Sequence, residues 1–109
     1  MEKKEIIVTT SFDVPNRKTK KILGIVRGNT VRARNLGRDI AAGIKHLVGG
    51  EVRTYTEMTA HSRDEAFNRM INDAISMGAD AVIGVRFESS EVMKNTAEIL
   101  AYGTAVKLA

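Results

Sequence analysis

Apolar residues change their spacing along the chain, and each spacing predicts a different element. The stretch 22–31 is apolar with little alternation, which is typical of a strand covered on both faces. Gly24 and Gly28 within it indicate a bend or a close backbone neighbour. Ahead of this strand, Pro15-Asn16 predicts an exposed turn, because both residue types favour turn conformations.

Helical spacing follows from residue 34, and it predicts a first amphipathic helix. Its apolar positions recur every three to four residues on one side. Gly49-Gly50 is expected to end this helix, because glycine adopts the left-handed conformation found at many helix termini. The aliphatic residues of the apolar face are Leu36, Ile40, Ile44 and Leu47.

A second amphipathic helix has two possible starts, Thr54 with Glu57 and Ser62 with Glu65. Both pairs have the spacing at which a hydroxyl and a carboxylate cap the first turn reciprocally. We favour the earlier start and expect the helix to run to the residue before Gly78, which closes it. The face expected to pack on a sheet is formed by Ala60, Phe67, Met70, Ile71 and Ala74.

The glycines and the aspartate that follow this helix could be mistaken for a phosphate-binding loop. Such a loop needs the order strand, glycine turn, helix, since the phosphate binds amide groups at the helix N-terminus. Gly78 instead follows a helix, where the carbonyl oxygens and the negative end of the dipole repel a phosphate. Asp80 is therefore expected to serve the turn. Beyond it, residues 81–88 alternate, which predicts a half-buried strand whose odd positions face the core.

The last strand, 95–108, is largely apolar on both faces, with small residues at odd positions and Leu100, Tyr102 and Val106 among the even ones. Two helices can cover only one face of a sheet. The uncovered face is expected to meet another subunit. Together with a short strand in the run 6–10, the pattern predicts one α+β domain over 1–109: an antiparallel sheet with helices on one face.

Composition narrows the possible chemistry. The chain has no cysteine, which excludes disulfides, thiolate-bound metals and thiol nucleophiles and favours a reducing compartment. Its amino terminus has only three consecutive aliphatic residues, too few for a signal peptide or a membrane span. We therefore expect a soluble cytoplasmic protein that does not enter a membrane.

Charge is divided unevenly along the chain, whose net charge is +4. Residues 16–53 hold ten Lys and Arg against two acids, whereas residues 54–109 hold five against eight acids. The basic segment could bind nucleic acid, but it lacks the aromatic residues that stack on bases. Complementary patches that meet within the fold or between subunits are the favoured explanation.

Glu57, His61 and Glu65 are spaced four apart on the second helix, as ligands of a divalent metal ion could be. The same row continues as Arg69 and Asp73. That continuation is typical of a solvated helix face laced with ion pairs, which we favour. A metal-dependent enzyme built on the three residues is the alternative.

Other candidate residues carry weaker indications. His46 falls in the last turn of the first helix, where an imidazolium is favoured by the dipole, and is expected to cap the helix or face a neighbouring subunit. No serine lies in a nucleophile-elbow pattern. Tyr55 and Tyr102 could donate a phenol, although packing is the expected role of Tyr102. The chain is therefore expected not to be an enzyme.

The ordered motifs of the chain resemble the YbjQ-like family of uncharacterised bacterial and archaeal proteins. The resemblance covers nearly the whole chain and rests on the set as a whole. The motifs are Gly28-Asn29-Thr30-Val31, Arg38-Asp39-Ile40-Ala41-Ala42-Gly43-Ile44, Val48-Gly49-Gly50-Glu51 with Tyr55-Thr56, Gly78-Ala79-Asp80-Ala81-Val82-Ile83-Gly84-Val85-Arg86, and Tyr102-Gly103-Thr104-Ala105-Val106.

This resemblance implies a dodecin-like subunit and a ring-like homopentamer in which the short N-terminal strand helps to join subunits. Heavy-metal binding has been suggested for the family. Without cysteine, a soft metal ion would find only methionine and histidine here.

We therefore expect a homo-oligomeric protein that binds a small ligand or a divalent metal ion, or acts as a scaffold. The segment 38–51 is expected to line the groove between subunits because it combines charge with small side chains. Its candidate residues are Arg38, Asp39, His46, Gly49, Gly50 and Glu51.

Overall fold

The computed structural model describes residues 5–33, 50–93 and 96–109, and for 50–59 it describes the course of the backbone. The elements of this part are β1 (Ile7–Val8), β2 (Thr19–Ala33), α1 (Gly50–Ser76), β3 (Ala81–Met93) and β4 (Thr96–Leu108). The strands form one sheet in the order β1-β3-β4-β2. The α+β class predicted from the sequence is confirmed.

The sheet is mixed, not purely antiparallel as the sequence suggested. β4 pairs antiparallel with both β2 and β3. β1 pairs parallel with the start of β3, where Ile7 lies opposite Ala81. The difference arises at the edge, because β1 contributes only two residues and could not be oriented from its sequence.

The helix α1 covers one face of the sheet, and the main core lies between them. Met70 and Ala74 are fully buried there, as their helical spacing predicted. The Oγ1 of buried Thr30 donates a 3.1 Å hydrogen bond to the carbonyl oxygen of Ser62, so the polar group at this contact is satisfied. Other buried residues of this core are Val26, Ala66, Ala79, Val82, Val85, Ala101 and Ala105.

The boundaries of α1 correct one prediction and confirm another. The helix begins at Gly50, before both predicted starts, so Thr54 and Ser62 lie inside it. Nothing in 51–53 breaks a helix, and a capping pair can also occur in a helix interior. The helix ends at Ser76, and Gly78 follows with φ of 77°, as expected of a glycine that closes a helix. The predicted first helix lies at 34–49, outside the described residues.

The alternation predicted for β3 is interrupted by a β-bulge. The register with β4 shifts between Ile83 and Arg86, and Gly84 has φ of 62°. Before the bulge, the odd position Ala81 faces away from α1, whereas after it Val85 joins the core beneath the helix. A bulge inserts one unpaired residue and so exchanges the two faces. The prediction that all odd positions face one core is therefore wrong.

Within the described ranges, strand β2 is covered on one face only, which corrects the prediction of a strand buried on both. Val26, Gly28 and Thr30 are buried toward α1, while the intervening residues are exposed. Ile25 is 76% exposed and Ile22 is 67% exposed. An aliphatic run alone cannot show whether one or two layers cover a strand.

The segment before β2 closes a second, smaller core on the other face. The amide of Arg17 donates to the carbonyl oxygen of Val14 at 3.1 Å, and Asn16 has φ of 67°, so the predicted Pro15-Asn16 turn is confirmed. Val14 packs there with Ala81, Val106 and Leu108. No helix in the described part of the chain is long and apolar enough to cross a membrane.

Candidate functional site

The proposed metal ligands Glu57, His61 and Glu65 all lie on α1, but Glu65 is already paired with two arginines. Its Oε2 lies 2.5 Å from Arg32 Nη2, and its Oε1 lies 2.6 Å from Arg69 Nη2. His61 is exposed. The ranges that the structure describes contain no group of three or more His, Cys, Asp or Glu side chains able to hold a metal ion. A metal site at this row remains a prediction.

The candidate groove residues are only partly within the described structure. Arg38, Asp39, His46 and Gly49 lie outside the described residues, and Gly50 and Glu51 form the beginning of α1. A groove lined by 38–51 therefore also remains a prediction.

Asp80 stabilises the turn between α1 and β3, as the order of elements predicted. Its Oδ2 accepts a 2.9 Å hydrogen bond from the amide of Leu108. Its own amide donates to the carbonyl oxygen of Val106 at 2.9 Å, and its carbonyl oxygen accepts from the amide of Ile7 at 3.2 Å. Asp80, which directly precedes β3, is thus bonded to β1 and β4 at one end of the sheet, and its role is structural.

Beyond the small core around Val14, the described helix and segments leave the face of the sheet opposite α1 uncovered, and we call this part the open face. Register places Ile25 beside Thr104, Arg27 beside Tyr102, and Asn29 beside Leu100. On the other side of β4, Arg86 lies beside Tyr102 and Glu88 beside Leu100. The open face consists of Ile22, Ile25, Arg27, Asn29, Val31, Arg86, Glu88, Ser90, Glu98, Leu100, Tyr102 and Thr104.

Polar contacts on the open face link neighbouring strands. The phenol of Tyr102 donates to Glu88 Oε1 at 3.3 Å, and Asn29 Nδ2 donates to Glu98 Oε2 at 2.9 Å. Burial, together with the charge of Glu88 and its hydrogen bond, raises the pKa of Tyr102 above its ordinary 10.0, while Arg86 acts in the opposite direction. The face is therefore mixed, with aliphatic positions between bonded polar groups.

The start of β3 is bordered by an exposed aromatic residue. The guanidinium of Arg86 lies 5.4 Å from the centre of the Phe12 ring and donates to the carbonyl oxygen of Thr10 at 3.1 Å. A Cβ added to Gly84 would lie 3.0 Å from the Phe12 ring. These contacts hold the N-terminal segment against the bulge of β3.

The described part of the basic segment lies on the surface. Arg17, Lys18, Lys20 and Lys21 are all exposed, and Arg17 Nη2 donates to the oxygen of Ala109 at 3.4 Å. Binding of nucleic acid by residues 16–53 is not tested by this arrangement and remains a prediction.

Of the two arginines that pair with Glu65, only Arg32 was not anticipated from the sequence. Arg32 reaches Glu65 from β2, a contact between residues 33 positions apart that no local spacing reveals. The pairing of Glu65 with Arg69 was visible as a spacing of four on one helix face. Arg69 has a further partner, since its Nη1 donates to the carbonyl oxygen of Asn29 at 2.6 Å.

Known proteins match this chain along nearly its full length. The family model described as "Putative heavy-metal-binding" matches residues 6–109. A UPF0145 protein of Archaeoglobus fulgidus is 58% identical over 105 residues, covering 96% of this chain and 97% of its own. A UPF0145 protein of Thermotoga maritima is 55% identical over 103 residues, covering 94% and 97% respectively.

A solved structure has a similar fold at low sequence identity. It is the crystal structure of a protein of unknown function from Pediococcus pentosaceus, of the DUF74 family. Its TM-score is 0.63 at 18% identity, and the match covers 95% of this chain and 98% of that one. The structural match bears on the fold, and the sequence matches identify the family. The chain belongs to the YbjQ-like family.

Proposed function

We propose that this protein is a non-enzymatic homo-oligomer that holds a small ligand or a metal ion between its subunits. The observation that carries the proposal is the exposure of aliphatic side chains on the open face, where Ile25 is 76% and Ile22 is 67% exposed. Complete burial of one such side chain is worth roughly 1.5–3 kcal/mol. A second copy packed against the open face would recover that free energy.

The polar groups of the open face are consistent with a subunit interface. Arg27, Asn29 and Glu88 lie among the aliphatic positions, and interfaces between separately folded subunits are about as polar as the remaining surface. Asn29 and Tyr102 already have partners within the subunit, so covering them leaves fewer groups without a hydrogen bond. The number of subunits proposed, five, comes from the family resemblance.

A metal ion is the ligand class that the family description supports. Because Glu65 is held by Arg32 and Arg69, it would have to leave two charge-assisted pairs to bind a cation. The chain has two histidines whose imidazole nitrogens could bind a metal ion, His46 and His61. The proposed site therefore uses His46 and the charged residues of 38–51, brought together between subunits.

Native mass spectrometry of protein purified without a metal-affinity tag tests the assembly and its ligand together. The proposal predicts an assembly whose mass is a whole-number multiple of the chain mass plus the mass of a retained ligand or metal ion. Metal analysis by inductively coupled plasma mass spectrometry then identifies any ion. A bare single chain would contradict the proposal.

Titration with Zn²⁺ of protein treated with a chelator separates the two histidines. His46→Ala should abolish the binding heat measured by calorimetry, while His61→Ala should leave it unchanged. The reverse pattern would transfer the site to the Glu57, His61 and Glu65 row and overturn the proposed location.

A further inference from the structure

The free edge of β2 is contacted by two side chains of α1, Arg69 and Asp73. β2 is the last strand of the sheet in the described part of the chain and runs for 15 residues. The backbone amide of Arg27 donates to Asp73 Oδ2 at 3.4 Å, and the carbonyl oxygen of Asn29 accepts from Arg69 Nη1 at 2.6 Å. One donor and one acceptor of the edge are thus occupied from within the subunit.

These two backbone groups are the ones that another strand would need. In an antiparallel pair, alternate residues direct both backbone groups toward the partner strand and the next ones direct them away. Arg27 and Asn29 belong to the second set, because their bonds go to α1 side chains and not to β4. An unpaired row of this kind is a template for strand addition by another chain.

Helix and strand geometry explain why one pair of side chains can serve both positions. Arg69 and Asp73 are four helical residues apart, about 6.0 Å along the axis. Arg27 and Asn29 are two strand residues apart, about 6.6 Å. Gly28 lies between them, and its missing side chain allows α1 to approach the strand directly. The two spacings nearly match, so each side chain reaches its own backbone group.

The rest of the same edge carries other features that oppose pairing. Lys20 and Lys21 are exposed near the beginning of β2, and lysine on an edge strand disfavours strand addition. The register with β4 is irregular between Thr19 and Lys21 and again between Ile22 and Gly24. Such irregularities distort the flat row of backbone groups that an incoming strand requires.

We infer that Arg69 and Asp73 close the edge of β2, so that a second copy of this chain cannot extend the sheet there. Copies then associate through other surfaces, and the sheet does not grow into an open-ended fibre. This inference is independent of the proposed oligomer, because it concerns what becomes possible when the two side chains are removed.

The double variant Arg69→Ala/Asp73→Ala tests the inference. Light scattering coupled to size-exclusion chromatography should show that the mass of the variant rises with protein concentration. It should reach about twice the wild-type mass or more, because pairing of two edges joins two assemblies. Infrared spectroscopy should show added intermolecular β-structure. A double variant that keeps the wild-type mass at every concentration would overturn the inference.

Two controls separate edge closure from changes in charge or folding. Arg63→Ala/Asp64→Ala removes the same charges from exposed positions of α1 and should keep the wild-type mass. Glu65→Gln disrupts the ion pairs with Arg32 and Arg69 but leaves Arg69 able to donate to the carbonyl oxygen of Asn29, and it should also keep that mass. If the double variant does not fold, the single variant Asp73→Ala provides a milder test: it removes the acceptor of the Arg27 amide, which should then exchange hydrogen faster. Unchanged exchange of this amide in Asp73→Ala, measured by NMR, would count against the inference.

Discussion

Gly28 lies directly against the backbone of α1, where an added Cβ would overlap the carbonyl oxygen of Ala66. The same Cβ would also meet the amide nitrogen of Met70 and, at 2.7 Å, the Cβ of Arg69. Two of these three neighbours are backbone atoms, which cannot rotate away. The distance between helix and sheet is therefore set by glycine at this position, and the core and the closed strand edge both depend on it.

Gly28→Ala is expected to destabilise the protein by about 1–3 kcal/mol or more, since the methyl group forces α1 away from β2. Urea unfolding followed by circular dichroism, at one protein concentration, measures the change. Ser90→Ala, at an exposed strand position, should shift the midpoint little. Equal midpoints for Gly28→Ala and Ser90→Ala would contradict the close approach.

Met70→Ala should cost about 2–5 kcal/mol, because Met70 is fully buried and its truncation leaves a cavity between α1 and the sheet. Met93 offers a matched comparison, since its side chain is 65% exposed. Met93→Ala should lie within about 0.5 kcal/mol of the wild-type protein. Thermal and urea unfolding should rank the two variants in the same order.

Asp80→Ala is expected to lower the free energy of unfolding by about 1–3 kcal/mol, because the amide of Leu108 loses its acceptor. Asp80→Asn keeps a side-chain carbonyl oxygen and should cost less. Asp13, an exposed aspartate, provides the control variant Asp13→Ala. If Asp80→Ala and Asp13→Ala unfold at the same urea concentration, the bond to Leu108 does not stabilise the turn.

Stability should fall as pH rises through the pKa of Tyr102. The folded protein holds the phenolic proton more tightly than the unfolded chain does, because the pKa is raised above 10.0. The stabilisation that comes from the raised pKa of Tyr102 is therefore complete below about pH 10. It is lost at higher pH as the phenol of the folded protein also ionises. Ultraviolet titration of the phenolate in a Tyr55→Phe background reports Tyr102 alone.

Glu88→Gln removes the carboxylate that helps to raise this pKa. The phenol should then ionise at lower pH, and the decline in stability should begin earlier. Ser90→Ala, on the same strand and face, leaves the Tyr102 contact intact and should titrate as the wild-type protein does. An unshifted titration in Glu88→Gln would show that Glu88 does not govern the phenol.

Local patterns were sufficient for the core of α1 and for the turns. The helical spacing of Met70 and Ala74 correctly identified the buried face, and Pro15-Asn16 and Gly78 have the expected backbone conformations. Each of these features depends on neighbours within one or two turns of chain. Their prediction needed no knowledge of tertiary contacts.

Features that depend on pairing between distant strands could not be derived in the same way. The bulge at Gly84 exchanges the two faces of β3, although a glycine within a strand is a weak indication of a bulge. The bond between Arg32 and Glu65 joins β2 to α1 across the fold. The exposure of Ile22 and Ile25 likewise depends on how many layers cover β2, which an apolar run does not reveal.

Sedimentation equilibrium of the wild-type protein and of Ile25→Glu at micromolar concentrations tests the use of the open face most directly. The wild-type protein should behave as one species of several subunits, and Ile25→Glu should shift it toward a single folded subunit, because a buried carboxylate is costly to cover. A wild-type protein that sediments as one subunit, or an Ile25→Glu variant with the full wild-type mass, would contradict association through this face.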